Sequence, residues 1–380
     1  LLEAARTNAS EPLHLWAWLQ SDEDVIHVEA TEPPREVEPV AVQVVGAVRE
    51  PPLRTNGTAP CLLLVPGLGD GVGAPRRIGA PLRAFYVAGQ GQAPEPCQVE
   101  VVRLQSQLFS RIQGVYDPNV SGLASKTVAV IGLGSGGSLA VVELAKAGVG
   151  RFLLVDYDRL SAHNVPRHAC GLRDVGRYKT RAVRDLIMDR NPSISVDCFE
   201  KDVTQDSDML MAAVDKSDLV LVATDTELSK YLINEVCLMA DKPAVYAGAY
   251  SRAFAGEVVR IVPGQTGCYA CVRQTLVDTV RALAEDDAVD YIASEEPLRA
   301  EPGLGLDVGM IALLQARLAL LTLLRGTGTL EDLDADIILW VNRARPEEGR
   351  VFNRPLARYF AHVRPLPDCP VCQGGKGPLA

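Results

Sequence analysis

Four cysteines stand in two pairs of identical spacing, Cys268-Tyr269-Ala270-Cys271 and Cys369-Pro370-Val371-Cys372. Two intervening residues let both sulfurs of a pair reach one tetrahedral ion, so the pairs together offer a closed four-thiolate set, the chemistry of structural zinc. The long gap between them makes such an ion a clip that ties the C-terminal tail to the body of the chain. Two unrelated pairs of buried or redox-active cysteines are the alternative. Upstream, Gly132-Leu133-Gly134-Ser135-Gly136-Gly137 lies between an apolar run and a helix-like one. Glycines there let the backbone turn tightly and approach a phosphate, whose charge meets the free N–H groups of a helix start. Asp156 ends the next apolar run about twenty residues on, where a carboxylate reaches ribose hydroxyls. The bland alternative is a turn that packs a helix on a sheet. NAD, FAD and ATP all present ribose and phosphate, so the loop does not choose among them.

Residues that follow narrow the choice. The segment from Asp156 runs through His163-Asn164-Val165-Pro166-Arg167, and Lys179 opens a helix shortly beyond. A redox cofactor has little use for two permanent cations beside a glycine loop. A triphosphate attacked at its α-phosphorus does: Arg can fork onto two oxygens, and Lys acts as a point charge. Taken singly, Arg167 and Lys179 could equally be solvated loop and helix residues. Asp225 follows the apolar run Val220-Leu221-Val222-Ala223. At the strand-end rim of an open sheet it could hold Mg²⁺ against phosphate oxygens. Thr224 or Asp225 could also serve simply as the cap of the next helix.

These residues need a scaffold, and the chain from Lys126 onward supplies one. Thr127–Ile131 reads as a continuous apolar strand of a sheet covered on both faces. A helix is expected over Ser138–Ala147, a strand over Arg151–Asp156, a helix over Tyr178–Asn191 and a strand over Ile194–Cys198. Strands at Leu219–Ala223 and Ala244–Gly248 flank a helix at Leu228–Ala240, and Gly256–Val262 reads as a later antiparallel strand. The alternation predicts an α/β fold with a Rossmann-like, open, mostly parallel sheet and helices on both faces. Met310–Leu324 is the most apolar stretch, but it is shorter than the roughly 20 residues of a membrane span and carries Gln315 and Arg317. A buried core or dimer helix is expected there. The first hundred residues are rich in Pro and Gly. They read as a small α+β domain over 1–104, with a short helix at Leu13–Leu19 and strands at Val42–Val48, Cys61–Val65 and Leu82–Val87. The main domain is then 105–380.

Composition bounds the partners. Lys and Arg total 38 against 48 acidic residues, a net charge of −10, so the chain has no overall basic field for nucleic acid. Aromatics at 5% argue against stacking platforms for single strands, and 47% hydrophobic with 23% charged residues is ordinarily globular. Nine cysteines, an odd count without a basic-then-apolar leader, point to a reducing cytoplasm and to no membrane.

In this order, the glycine loop, strand-end Asp, Asn-x-x-Arg, Lys, second Asp and paired CxxC resemble the ThiF/MoeB adenylating superfamily, which includes the ubiquitin-activating enzymes. The resemblance covers about 105–380. It implies that Gly132, Gly134 and Gly137 shape an ATP loop, that Asp156 holds ribose, that Asn164, Arg167 and Lys179 contact phosphates, and that Asp225 binds Mg²⁺. It also implies an arginine before the first strand that reaches the partner subunit's ATP, and Arg111 occupies that place, so a homodimer is expected. The implied reaction joins the C-terminal carboxylate of a small ubiquitin-like protein to AMP, releasing pyrophosphate, with possible onward transfer to a conjugating enzyme. Activation of a sulfur carrier for cofactor synthesis is the alternative. A nicotinamide-dependent oxidoreductase and an inactive scaffold are weaker rivals: the first leaves Arg167, Lys179 and the clip unexplained, and the second the intact acids and cations.

The match has gaps. Residues 272–368 contain no cysteine where ubiquitin-activating relatives carry their thioester nucleophile, and Ala300-Glu301-Pro302-Gly303 stands about there. Cys61, Cys97, Cys198 and Cys237 read as buried packing, and Cys170 as a remote candidate nucleophile. The usual Ser-Asn-Leu-x-Arg-Gln is here His163-Asn164-Val165-Pro166-Arg167-His168, a variant resembling bacterial members encoded beside conjugation-like proteins, a resemblance that implies a bacterial conjugation pathway, with antiviral defence as one role for it. Of the chain's five histidines only His14 and His27 lie in the first hundred residues, with no His-x-His pair. That region therefore lacks the ligands of a JAB-type metallopeptidase and reads as degenerate or partner-recruiting.

Overall fold

A computed structural model of the 380-residue chain describes residues 108–275 and 303–373, and before them the backbone of six strands. The chain divides into two compact units, Leu1–Arg103 and Leu104–Ala380. In the first, β1 (Trp16–Gln20), β2 (Val25–Glu29), β3 (Glu38–Val44), β4 (Cys61–Pro66), β5 (Leu82–Val87) and β6 (Glu95–Cys97) form one sheet in the order β2-β1-β3-β4-β5-β6. All neighbours are antiparallel except β3 and β4. The helix expected over Leu13–Leu19 is corrected: Trp16–Gln20 is a strand. Its two tryptophans alternate at period two, aromatics suit a pleated surface, and β1 is paired on both sides, with Trp18 opposite His27 of β2 and Pro39 of β3. The strand expected at Val42–Val48 is displaced to Glu38–Val44. The side chains of Cys61 and Cys97 lie outside the described residues.

The second unit is built on an eight-stranded sheet. Its parallel part comprises β7 (Thr127–Ile131), β8 (Arg151–Val155), β9 (Ser195–Phe199), β10 (Leu219–Val222) and β11 (Ala244–Ala249). An antiparallel extension adds β12 (Ala255–Ile261), β13 (Ile337–Val341) and β14 (Arg358–Ala361). The order is β14-β13-β12-β11-β10-β7-β8-β9. From β7 the chain builds one way through β8 and β9, then returns to the other side of β7 with β10 and β11. The strand order therefore reverses between β7 and β10, which is where ligands bind in open α/β sheets.

Alternate strand residues face two separate cores. Val128, Val130, Phe152, Leu154, Leu219 and Leu221 pack beneath α1 (Ser135–Ala147), α2 (Lys179–Arg190) and α5 (Gly305–Leu323). Ala129, Ile131, Leu153, Val155, Val220 and Val222 pack beneath α3 (Ser207–Asp215) and α4 (Glu227–Met239). Being buried on both faces explains why these strands read as unbroken apolar runs.

α5 is long and apolar enough to cross a membrane by length and composition, yet it lies along α1 and the sheet, half of it buried. Its one buried amide explains the placement. The Gln315 Nε2 donates to the Val222 carbonyl at 2.8 Å and the Val245 carbonyl at 3.0 Å, pinning the helix over the ends of two strands.

Candidate active site

The glycines of the loop after β7 divide into two kinds. Gly132 has φ +93°, and a Cβ on it would stand 2.7 Å from the Ala223 carbonyl carbon. A Cβ on Gly137 would stand 2.0 Å from the Gly132 oxygen. Both are required by the protein's own packing, which brings the loop flush against the end of β10. Gly134 and Gly136 are different: a Cβ there would meet nothing within 4 Å. Their bare backbone faces open space at the N-terminus of α1, a cradle that suits a phosphate and that side chains would fill. Gly134, itself the N-cap of α1, offers no side chain to satisfy the first N–H groups.

Asp156, just past β8, is nearly buried and braces the same loop. Its Oδ2 accepts from the Leu133 N–H at 2.7 Å and its Oδ1 from the Asp158 N–H at 2.8 Å. Burial pushes its carboxyl above the usual aspartate range, opposed by the Lys179 ammonium and those two N–H groups. Each oxygen keeps a lone pair for a ribose hydroxyl. Lys179 opens α2, with its Nζ 2.6 Å from Asp158 Oδ2 and 3.9 Å from Asp156 Oδ1. It is buried, so this is no solvated helix face.

Ala162–Arg167 is a short 3₁₀ helix. The Asn164 Oδ1 accepts from the Ser161 N–H at 3.0 Å, which leaves the amide's Nδ2 hydrogens as its donors. Arg167 is half-buried, and its backbone is pressed against the start of α5: a Cβ on Gly305 would lie 2.7 Å from the Pro166 oxygen and 3.3 Å from the Arg167 Cα. His168 closes the segment. Its Nδ1 accepts from the Cys170 N–H at 3.0 Å, which makes Nε2 the protonated nitrogen that donates to the Leu133 carbonyl at 2.8 Å. Burial holds this imidazole below the usual histidine range.

On the other side of the switch point, the cap of α4 is Thr226, whose hydroxyl accepts from the Ser229 N–H at 3.4 Å. Neither Thr224 nor Asp225 caps that helix. Asp225 is exposed, and its carboxylate makes no hydrogen bond or ion pair among the described residues. Tyr157 reports where it sits. The phenol is raised above its ordinary range by Asp158 first, then by burial, Asp202, Asp225 and Asp156. Asp158, Asp202, Asp225 and Asp156 thus all act on the Tyr157 phenol, and Lys179 is paired with Asp158 beside Asp156.

Arg111 does not join this group. It is exposed, in a turn whose Phe109 packs by Gly148 at the C-terminal end of α1. α1 has 13 residues and so is roughly 20 Å long, and the glycine loop is at its other end.

The four clip cysteines do come together, all buried, with their sulfurs within 4.8 Å of one another. Cys268 Sγ lies 3.8 Å from Cys271 and 3.6 Å from Cys369, and Cys271 lies 3.5 Å from Cys372. These are too long for disulfides and close to the edge of about 3.8 Å that a tetrahedron of 2.3 Å metal–sulfur bonds requires. Burial pushes Cys268 and Cys271 up as free thiols. Against burial, N–H groups of Cys372 and Val371 pull Cys369 down to about 7. Four such sulfurs could bind a metal ion, and a cation makes their crowding favourable. Between the first two, the Tyr269 hydroxyl donates to both Glu227 oxygens at 3.1 Å. The clip thereby touches the first turn of α4, two residues after Asp225.

The remaining described cysteines are not poised as nucleophiles. Burial pushes Cys170 up to about 12 and Cys237 higher still. Cys198 is half-buried rather than buried, donates toward the Thr180 carbonyl at 3.6 Å, and is also raised by burial. Sequence reasoning gave Asp158 no role of its own and read His168 chiefly as a helix-cap or loop residue. The first was legible as a second acid two residues after Asp156. The second stood out only as a departure from the usual glutamine.

Comparison with known proteins agrees with this fold. Residues 106–336 match the model of the ThiF family. Ubiquitin-like modifier-activating enzyme 5 of Caenorhabditis elegans is 26% identical over 206 residues, which is 50% of this chain and 49% of that protein. The uncharacterized protein y4oA of Sinorhizobium fredii is 32% identical over 207 residues, 50% of this chain and 34% of that protein. The chain thus spans about half or less of the curated relatives it matches. Among solved structures, E. coli MccB superposes with a TM-score of 0.54 at 21% identity, over 70% of this chain and 74% of that one, a likeness of fold. With more than half of its length matched by the family model, the chain belongs to the ThiF family.

Proposed function

We propose that this chain adenylates the C-terminal carboxylate of a small ubiquitin-like protein, using ATP and releasing pyrophosphate. The carrying observation is the switch-point rim, where Gly134 and Gly136 leave backbone bare beside Asp156, Lys179 and an uncommitted Asp225. In this reading the substrate carboxylate attacks the α-phosphorus, the α–β anhydride bond breaks, and pyrophosphate leaves. No general base is needed, since the carboxylate is ionised at neutral pH. Asn164, Arg167 and Lys179 hold phosphate oxygens, Asp156 holds ribose, and alignment with charge neutralisation carries the rate. Mg²⁺, held by Asp225, would supply charge neutralisation at the phosphates. Zn²⁺ at the four thiolates would be structural.

Arg111, exposed and remote from its own loop, is read as a finger completing the site of a second copy, so the working unit is a homodimer. The raised thiols of Cys170, Cys198 and Cys237 support an enzyme that stops at the acyl-adenylate and leaves it to a nucleophile from outside, a sulfur donor or a conjugating enzyme. The test is ATP–pyrophosphate exchange with a candidate modifier, followed by non-reducing electrophoresis. Exchange that does not depend on the modifier's free C-terminus would overturn the substrate assignment.

A further inference from the structure

Leu133 is held at both of its backbone groups, which lie in consecutive peptides. Its N–H goes to Asp156 Oδ2 at 2.7 Å and its carbonyl to His168 Nε2 at 2.8 Å. A trans peptide is planar, so the direction of the Leu133 carbonyl fixes the opposite direction for the Gly134 N–H. That N–H donates to no group among the described residues, and Gly134 is where a Cβ would meet open space. A second tie runs beside the first, from the Ala169 N–H to the Ser138 hydroxyl of α1 at 3.2 Å. The imidazole is thus built into the wall of the cradle rather than standing at its mouth.

We propose that His168 is a positioning residue of the glycine loop, aiming the Gly134 N–H at the nucleotide's phosphates by holding the Leu133 carbonyl, and that this latch holds only while the imidazole is neutral. The proposal rests on the nucleotide-binding reading above. In the neutral ring both nitrogens are used, Nε2–H as donor and Nδ1 as acceptor. A second proton on Nδ1 would point at the Cys170 N–H, and the ring would have to turn away from one partner or the other. Charges around it do not stabilise the imidazolium strongly: Lys179 opposes it from α2, and Asp174 favours it from the loop before α2. Arg167 and Cys170 flank it in sequence, and Asp156 holds the N–H of the same Leu133 whose carbonyl the ring holds. Burial dominates and disfavours the second proton. A glutamine here, as in the usual form of the segment, could donate to Leu133 without titrating.

The test measures Mg·ATP binding from pH 5.5 to 8 by calorimetry for the wild type, His168→Gln and His168→Leu. Wild-type affinity should weaken progressively as pH falls below 6.5, toward the about tenfold loss equivalent to one hydrogen bond once the ring is protonated, relative to His168→Gln, which shares the nucleotide's own titration. His168→Leu should be about tenfold weak at every pH while melting cooperatively. Matching pH profiles for wild type and His168→Gln, tightening at low pH, or normal binding by His168→Leu would each overturn the latch. A second measurement needs no nucleotide: hydrogen exchange of the peptide covering 132–138, corrected for its intrinsic pH dependence, should accelerate at pH 5.5 in the wild type alone. Equal protection in both proteins also overturns the proposal. If Mg·ATP binds at no pH while the exchange difference is present, the nucleotide reading fails and the loop contact survives.

Discussion

Gly137 lies so close to Gly132 that a Cβ on the former would stand 2.0 Å from the carbonyl oxygen of the latter. The loop's glycines therefore separate by experiment. Gly137→Ala should cost about 3 kcal/mol of stability, the upper range for overpacking a site with no slack. Gly134→Ala should leave the melting temperature unchanged and weaken ATP binding tenfold or more, because its added methyl meets no protein atom within 4 Å. Denaturant melts and nucleotide titration check both. A Gly134→Ala protein that binds ATP normally would remove the loop from the phosphate site.

Asp225 is exposed, outside the helix cap, and one of the acids that act on Tyr157. Asp225→Ala should leave the fold intact and reduce ATP–pyrophosphate exchange by a hundredfold or more, the scale of losing a charge at a developing phosphate site. Exchange equal to wild type at saturating Mg²⁺ would show that the cation is held elsewhere.

Burial of neutral His168 also has a consequence for stability. Its folded pKa lies below the ordinary histidine value of about 6.5, so in acid the unfolded chain binds the extra proton first. The group's contribution is complete above pH 6.5 and is lost as pH falls from there through the folded pKa. Chemical denaturation between pH 5 and 8 should show a slope in the acid limb that His168→Gln flattens. A slope unaffected by the substitution would assign the acid lability to other groups.

Much of this was readable in the sequence because burial on both faces writes strands as plain apolar runs. β7, β8, β10 and β11 fall within a residue or two of where the runs place them. The clip was readable because its spacing is set by coordination geometry. What the sequence hid was long-range and steric. Nothing local says that Gly305 is needed by the backbone of Arg167, that Gln315 reaches two strand ends, or that Tyr269 grips Glu227. Where Leu13–Leu19 reads as a helix, the period-two alternation of the tryptophans and pairing on both edges decide for a strand at Trp16–Gln20.

Arg111 is placed where it cannot serve the loop of its own chain, and that makes its role testable by mixing. Arg111→Ala should lose most exchange activity without unfolding. Combined with Asp225→Ala, which keeps the arginine, mixed dimers should regain up to about a quarter of wild-type activity, since one site in a heterodimer is intact and half the dimers are mixed. Mixtures no more active than either variant alone would rule out a finger reaching between copies.

The clip makes two separable contributions to the rim. Its sulfurs, 3.5 to 3.8 Å apart along three edges, should bind about one zinc per chain. Cys369→Ser should lose that metal and about 4 kcal/mol of stability, lowering the melting temperature by roughly 10 °C in a unit of this size. Tyr269→Phe is the finer probe, because it keeps all four thiolates and removes only the hydroxyl that donates to Glu227 at 3.1 Å. It should retain zinc and melt within a few degrees of wild type, while the Mg²⁺ concentration for half-maximal exchange rises several-fold as the first turn of α4 loosens beside Asp225. If zinc content and Mg²⁺ dependence are both unchanged in Tyr269→Phe, the clip secures the tail alone and the grip on Glu227 is incidental to the chemistry.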